Sequence, residues 1–339
     1  MVTKVMSPSW KHIAFGLLVV QNTALGIASK FSRLNKYHPG TAIFLVEVIK
    51  CICCVGVLCK LRGGNIPATI NLLHNEVLSD FKGLQNMTVL AFLYAMQNIG
   101  ALFAYDYVDI ATYQIVYQLK IITTAFFMRI FLHRQFTFVQ WCAMCSLMSG
   151  VAACSYSRVS LPTQENHSLH FTGISIVCLL AVNSGLAAAY FECVMKSHPA
   201  RTALSTSESL WIRNTQLALI SVLLTSLNIS LDASLILTNG FFHEIRPIVW
   251  LVILLQAVGG LTIAAVVRYS DNIVKNFGTS FSLILSCLIS NVISNSRGTP
   301  LFYASILLVV GSVFIYGDKR FAVPQKYSEF SNRTKHATC

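Results

Sequence analysis

The residues best suited to chemistry lie in DIATYQIVYQLKIITTA, Asp109 to Ala125, inside a long apolar run. Tyr113, Tyr117, Lys120 and Thr124 recur at intervals of three and four, so a helix places them on one face. Gln114, Gln118 and Thr123 flank them. Insertion scales charge roughly 2.5–3.5 kcal/mol for a lysine at mid-membrane depth, so this face must look into protein or a watery cavity. A cation set among tyrosines and amides suits an anionic ligand that carries a ring. The same lysine also fits a purely structural pairing with a carboxylate on another helix.

Further polar groups interrupt other apolar runs. Tyr94, Gln97 and Asn98 form one polar turn, able to read a nucleobase edge or to bond a neighbouring helix. Glu47 and Lys50, spaced i and i+3, can neutralise each other or serve as a gate or substrate contact. Ser184 to Ala189 is a small-residue run that favours close helix packing, and Glu192 and Lys196 follow it at i, i+4. Glu192 reads as a structural partner for a base more readily than as a proton carrier. Trp211 and Arg213 read as interface anchors, whereas Asn214 is placed to face a cavity. Arg268 to Ser280 is short and dense in charge. Its helix start beside Lys275 is either an anion site or a solvated turn. With Lys120, Lys275 makes a second candidate cation for a pyrophosphate.

The elements that must position these groups are membrane spans. Of 339 residues, 55% are hydrophobic and 11% charged, and the mean hydropathy is +0.62. Charge at that level is less than half the soluble norm of about 25%. Apolar runs predict ten spanning helices at 12–29, 40–60, 87–105, 110–132, 138–155, 171–194, 210–229, 248–268, 276–295 and 300–317. Residues 1–11 and 318–339 flank the ten-helix domain, whose halves are about 12–155 and 171–317. Five helices per half is odd, so homologous halves must be inverted relative to each other. Tyr107-Val108-Asp109-Ile110 and Tyr269-Ser270-Asp271-Asn272 hint at such a repeat, with helices 4 and 9 as partners lining one cavity.

The net charge of +12 is spread between apolar runs, where it reads as topology signal and anionic-lipid contact. With the N-terminus in the cytosol, most lysines and arginines fall on the cytosolic side. Lys30, Arg33, Lys36, Arg158, Arg246 and Arg297 fall opposite, which puts both termini in the cytosol. Asn166-His167-Ser168 is then a lumenal glycosylation sequon. No nucleic-acid-binding motif is present. Of the eleven cysteines, Cys51, Cys53, Cys54, Cys59, Cys142, Cys145, Cys178 and Cys287 sit in apolar segments and read as packers, not metal ligands. GxSxG, HExxH and GxxxxGK[ST] are missing, and the 13 carboxylates form no paired set at membrane depth, so no enzyme, cofactor or metal is expected.

Several strings carry a resemblance: Glu47-Val48-Ile49-Lys50, Val116-Tyr117-Gln118-Leu119-Lys120-Ile121, Tyr190-Phe191-Glu192, Leu210-Trp211-Ile212-Arg213-Asn214, Gly259-Gly260-Leu261 and Asp271 to Phe277. Over about residues 12 to 317 the chain resembles the Golgi nucleotide-sugar transporters, a drug/metabolite-transporter subfamily carrying UDP-galactose, UDP-N-acetylglucosamine and CMP-sialic acid. The resemblance implies an all-α fold of ten transmembrane helices in two inverted five-helix repeats. It implies antiport of a nucleotide sugar against a nucleoside monophosphate. By the same resemblance, Tyr94, Gln97 and Asn98 contact the base, and Tyr117, Lys120 and Thr124 the nucleoside and phosphate. Asn214 adds a polar contact, Lys275 a phosphate contact, and Glu47 and Lys50 the sugar contact or gate.

Departures from the family's usual pattern are Ile99, Cys193 and Gly278. Val20 to Leu25 and Thr279-Ser280 resemble UDP-galactose carriers most, and Ala218 stands where sialic-acid carriers usually have tyrosine. UDP-galactose exchanged for UMP is therefore the leading expectation. UDP-N-acetylglucosamine, CMP-sialic acid and a non-transporting Golgi scaffold are the alternatives, and a homo-oligomer or glycosyltransferase complex is a possible assembly.

Overall fold

The computed structural model describes residues 8–32, 37–105, 107–108, 110–156, 167–197, 206–231, 233–269, 272–293, 299–318 and 320. Asn166 of the sequon, Asp109, Ser270 and Asp271 lie outside them.

Among the described residues every regular element is helical. The helices are α1 (Pro8–Ser32), α2 (Pro39–Leu61), α3 (Ile66–Leu72), α4 (Phe81–Tyr105), α5 (Ile110–Tyr117), α6 (Lys120–Phe131) and α7 (Phe138–Tyr156). They continue as α8 (His167–Ser197), α9 (Thr206–Leu231), α10 (Ala233–Asn239), α11 (Pro247–Tyr269), α12 (Asn272–Ile293) and α13 (Pro300–Gly317). A π-helical turn, Leu73–Leu78, extends α3. Local chemistry sets several starts. Thr299 accepts a hydrogen bond from the Phe302 N–H at 3.2 Å, with Pro300 in the first helical position. Asn65 does the same for Ala68 N–H at 3.0 Å.

Among the described residues, eight helices are long and apolar enough to cross a membrane: Pro39–Leu61, Phe81–Tyr105, Phe138–Tyr156, Phe171–Lys196, Glu208–Leu231, Pro247–Val267, Asn272–Ile289 and Pro300–Gly317. The first expected span is helical, with Phe15–Ser29 as its described apolar stretch. The expected span 110–132 is not one helix. At Gln118 and Leu119 the chain tightens to i→i−3 bonds, Gln118 N–H to Ile115 O at 3.2 Å and Leu119 N–H to Val116 O at 3.1 Å, and Lys120 opens α6. Exposed Leu17, Val20, Ile52, Leu223, Leu227, Leu307 and Phe314 give the helices apolar outer surfaces, which lipid tolerates and water does not. This is a multi-pass membrane protein.

The helices form two compact units, and neither follows a half of the chain. Unit 1 holds Met1–Phe92 and His198–Ser270; unit 2 holds Leu93–Ser197 and Asp271–Cys339. In unit 1, α1 packs on α11, and α2 on α9 and α11, around Ala42, Val46, Val249, Ile253 and Ala257. In unit 2, α7 packs on α13, α6 on α8, and α12 touches α6, α7 and α8. Its core includes Ile121, Met128, Met144, Leu147, Ile273, Phe277 and Phe302.

The approach of α6 to α8 depends on Gly185. A Cβ there would stand 2.7 Å from the Thr123 carbonyl carbon and 2.7 Å from the Thr124 nitrogen, both backbone atoms. The small-residue run therefore does the packing its composition predicts. Forcing these backbones apart is an overpacking cost of about 1–3 kcal/mol. Gly185→Val should lower the thermal unfolding midpoint of the detergent-solubilised protein; an unchanged midpoint would show that the two helices part without cost.

Candidate functional site

In unit 2 the aromatic-cation face is assembled across the broken helix. The Tyr113 and Tyr117 rings stack with centroids 5.3 Å apart, and Tyr105 lies 4.7 Å from Tyr113. Lys120 Nζ sits 4.4 Å from the Tyr117 ring centroid, a cation–π contact that replaces part of the lost hydration. The Tyr117 hydroxyl donates to Ser184 Oγ at 3.0 Å. Thr124 Oγ1 donates to the Lys120 carbonyl at 2.6 Å, and Thr123 Oγ1 to Ala181 O at 2.8 Å. The i→i−3 turn thus leaves the predicted face intact, because side chains and hydroxyls bridge the break.

Lys275 belongs to the same neighbourhood. On α12, the Asn276 amide donates to Thr124 Oγ1 at 3.5 Å, joining α12 to α6 one residue beyond Lys275. Lys275 lies within electrostatic range of Lys120 and of Glu192. Both lysines are partly buried, and neither forms an ion pair among the described residues. Among the described residues no carboxylate gives Lys120 the structural pairing it also admits.

The start of α12 answers the second open question. Glu192, fully buried, accepts from the Asn272 backbone N–H at 2.7 Å and from Asn272 Nδ2 at 3.2 Å. Its other oxygen pairs with Lys196 at 2.6 Å. Asn272 Nδ2 also donates to Ala188 O. This helix N-terminus already holds an anion, and Glu192 is the structural partner its position predicts.

The helix-3 amides divide. Gln97 turns inward, where its Oε1 accepts from Asn183 Nδ2 at 3.1 Å, and Asn183 also donates to Leu93 O at 3.0 Å. Among the described residues the buried Gln97 Nε2 has no hydrogen bond of good geometry, though the Gln97 side chain lies within reach of Tyr113. Tyr94 and Asn98 are on the exposed side of α4.

Glu47, Lys50 and Asn214 belong to unit 1. Lys50 Nζ pairs with Glu47 at 2.7 Å. Its stem runs over Gly260, where a Cβ would be 2.7 Å from Lys50 Cε. Gln21 fills the matching slot at Gly259 and donates to Leu255 O at 2.8 Å, leaving its buried Oε1 unpartnered. Asn214 is buried and donates to Leu210 O on its own helix at 2.9 Å. Arg213 is no interfacial anchor. It is buried, pairs with Asp80 at 2.8 Å and donates to Gln216 Oε1 at 2.7 Å. Gln216 in turn donates to Glu76 O at 3.3 Å and Val77 O at 3.1 Å, carbonyls of the π-turn. Arg62 pairs with Glu208 at 2.8 Å.

Sequence reasoning gave no role to Asn183 or Asp80, and read Ser184 only as part of a packing run and Asn276 as part of a charged stretch. The adjacent polar pair Asn183-Ser184 inside an apolar run was the available signal for two of them. Asn276 and Asp80 gain meaning only from their partners.

No group of three or more metal-ligating side chains occurs among the described residues. Among the described residues, this all-α, multi-pass membrane protein sets two lysines without an ion-pair partner near the stacked tyrosines. The sequence profile for nucleotide-sugar transporters matches residues 6–317, and the chain belongs to that family. Its relatives include the UDP-N-acetylglucosamine transporter of Canis lupus familiaris, 34% identical, with 92% of this chain and 96% of the relative covered. The UDP-galactose translocator of Homo sapiens is 33% identical, with 92% and 78% covered. A protein of known crystal structure shares the fold at TM-score 0.61 and 14% identity, covering 92% of this chain and 97% of its own. The family is one of transporters, not enzymes.

Removing one partner of a buried ion pair costs about 3–5 kcal/mol, whereas an exposed pair is worth about 0–1. Arg213→Gln should therefore depress the unfolding midpoint strongly. Arg246→Gln, which breaks an exposed pair with Glu244, should barely move it. Equal shifts would mean that the Asp80–Arg213 contact holds nothing together.

Proposed function

We propose that the chain exchanges a UDP-sugar for UMP across the Golgi membrane by alternating access. In this reading the polypeptide crosses ten times as two inverted five-helix halves, with both termini in the cytosol. Imported UDP-sugar and exported UMP share only the nucleotide, so an exchanger must recognise that part of both. The observation that carries the reading is the pair Lys120 and Lys275, two cations without an ion-pair partner among the described residues, one lying over the Tyr117 ring.

A pyrophosphate or a phosphate monoester supplies the missing counter-charge, and the tyrosine layer suits the nucleoside. In this assignment Tyr94, Gln97 and Asn98 read the base, Tyr117, Lys120 and Thr124 hold the nucleoside and phosphate, and Lys275 holds phosphate. Asn214 adds a polar contact, and Glu47 and Lys50 serve the sugar contact or gate. UDP-galactose is the sugar favoured by the Val20 to Leu25 and Thr279-Ser280 strings. UDP-N-acetylglucosamine stands beside it, because relatives bearing that name align over 96% of their own length.

Counterflow decides both points. Proteoliposomes preloaded with UMP should take up labelled UDP-galactose or UDP-N-acetylglucosamine, those preloaded with CMP should not, and the relative rates name the sugar. Lys120→Ala and Lys275→Ala should each cut uptake at least tenfold, about 1.4 kcal/mol of ligand binding or more. Native uptake by folded Lys120→Ala removes that residue from the mechanism. CMP-driven exchange indicates a CMP-sugar carrier, and no exchange with any pair indicates a scaffold.

A further inference from the structure

We infer that Glu192 is a positioning residue, which sets the phosphate grip by anchoring the first turn of α12 and so aiming Lys275; this rests on the proposed role of Lys275. Lys275 is one turn into α12, so its direction follows from where that helix starts. The start is held from α8. Glu192 accepts from both the Asn272 backbone N–H and its side chain, and Asn272 donates back to Ala188 O on the same α8 face. Lys196, one turn further along, holds the other Glu192 oxygen at 2.6 Å, which fixes the carboxylate's orientation.

The arrangement is fully buried at Glu192 and at Asn272. A carboxylate capping its own helix needs no such framework, whereas one reaching from a different helix ties two elements together. Asn276, one residue past Lys275, repeats the tie to α6 through Thr124, whose hydroxyl rests on the Lys120 carbonyl. Lys275 therefore stands between two anchors, one to α8 and one to α6. The charges serve the same end. Glu192 is in electrostatic range of Lys275 while Lys120 repels it. Lys196 engages the other Glu192 oxygen, and among the described residues no salt bridge draws Lys275 away from a ligand.

The test compares UMP with uridine by ligand-dependent thermal stabilisation of the full purified chain, since only UMP offers a phosphate. Glu192→Leu keeps volume but removes every acceptor. It should weaken UMP by about tenfold or more, the worth of a charge-assisted hydrogen bond, and leave uridine unchanged. Glu192→Gln retains an oxygen for the Asn272 N–H and should stay within about threefold of the native UMP affinity, about 0.65 kcal/mol. A native UMP-to-uridine ratio in Glu192→Leu overturns the inference, as does an equal loss for both ligands, which marks a merely structural residue. Equal impairment of the Leu and Gln variants overturns it too, since charge and not anchoring would then matter.

If Glu192→Leu does not fold, Asn272→Ala decides. Loss of its two side-chain bonds must lower UMP affinity and spare uridine, and an unchanged ratio overturns the inference. Lys275→Gln is the separate control. A native ratio there sinks the phosphate role of Lys275 itself, whereas a lost ratio there with a native one in the Glu192 and Asn272 variants sinks only the positioning.

Discussion

Among the described residues of unit 2, the central physical constraint is to hold an ammonium group away from bulk water without a salt bridge to a carboxylate. Two such groups, Lys120 and Lys275, repel each other, so each needs partial compensation that stops short of a salt bridge. Lys120 finds it over the Tyr117 ring. Lys275 finds it in the field of Glu192, whose carboxylate is already engaged by Lys196 and Asn272. Full neutralisation leaves nothing for a ligand to gain, and no compensation makes the empty protein too costly to fold. The observed arrangement lies between these limits.

Much of the surrounding structure follows from that requirement. The tyrosines must stay stacked below the ammonium, so Tyr117 is tethered through its hydroxyl to Ser184. The turn at Gln118-Leu119 places Lys120 at the start of a new helix, and Thr124 closes over its carbonyl. The close approach of α8 that makes these bonds available needs Gly185, because any Cβ there meets the α6 backbone. Packing and polar recognition are thus one problem in this unit.

Unit 1 treats its charges differently. Lys50 is paired with Glu47, Arg213 with Asp80, and Arg62 with Glu208. Here the polar residues stabilise an architecture in which a π-turn exposes carbonyls and the buried Gln216 satisfies them. A glycine pair, Gly259-Gly260, makes room for Gln21 and Lys50 to lie against α11. Unit 2 also contains a paired charge, Lys196 with Glu192, but among the described residues its Lys120 and Lys275 have no ion-pair partner.

Membrane character was written in composition and in the lengths of the apolar runs, because burying backbone in lipid leaves helices as the economical solution. The 3–4 spacing of Tyr113, Tyr117, Lys120 and Thr124 likewise announced a face before any coordinates, since helical periodicity is a local property. Other outcomes depended on partners distant in the chain. Whether Lys120 was paired, whether the α12 start was open to an anion or held by Glu192, and whether Arg213 anchored at an interface or locked onto Asp80 were each undetermined by sequence. The same residue types serve either role, and only which helices pack together chooses between them. The break at Gln118-Leu119 also escaped prediction, because no proline or glycine marks it. Bonds donated by Tyr117 to Ser184 and by Thr123 to Ala181, and the one Asn276 donates to Thr124, bear on both sides of that turn, and those exist only once α8 and α12 have docked.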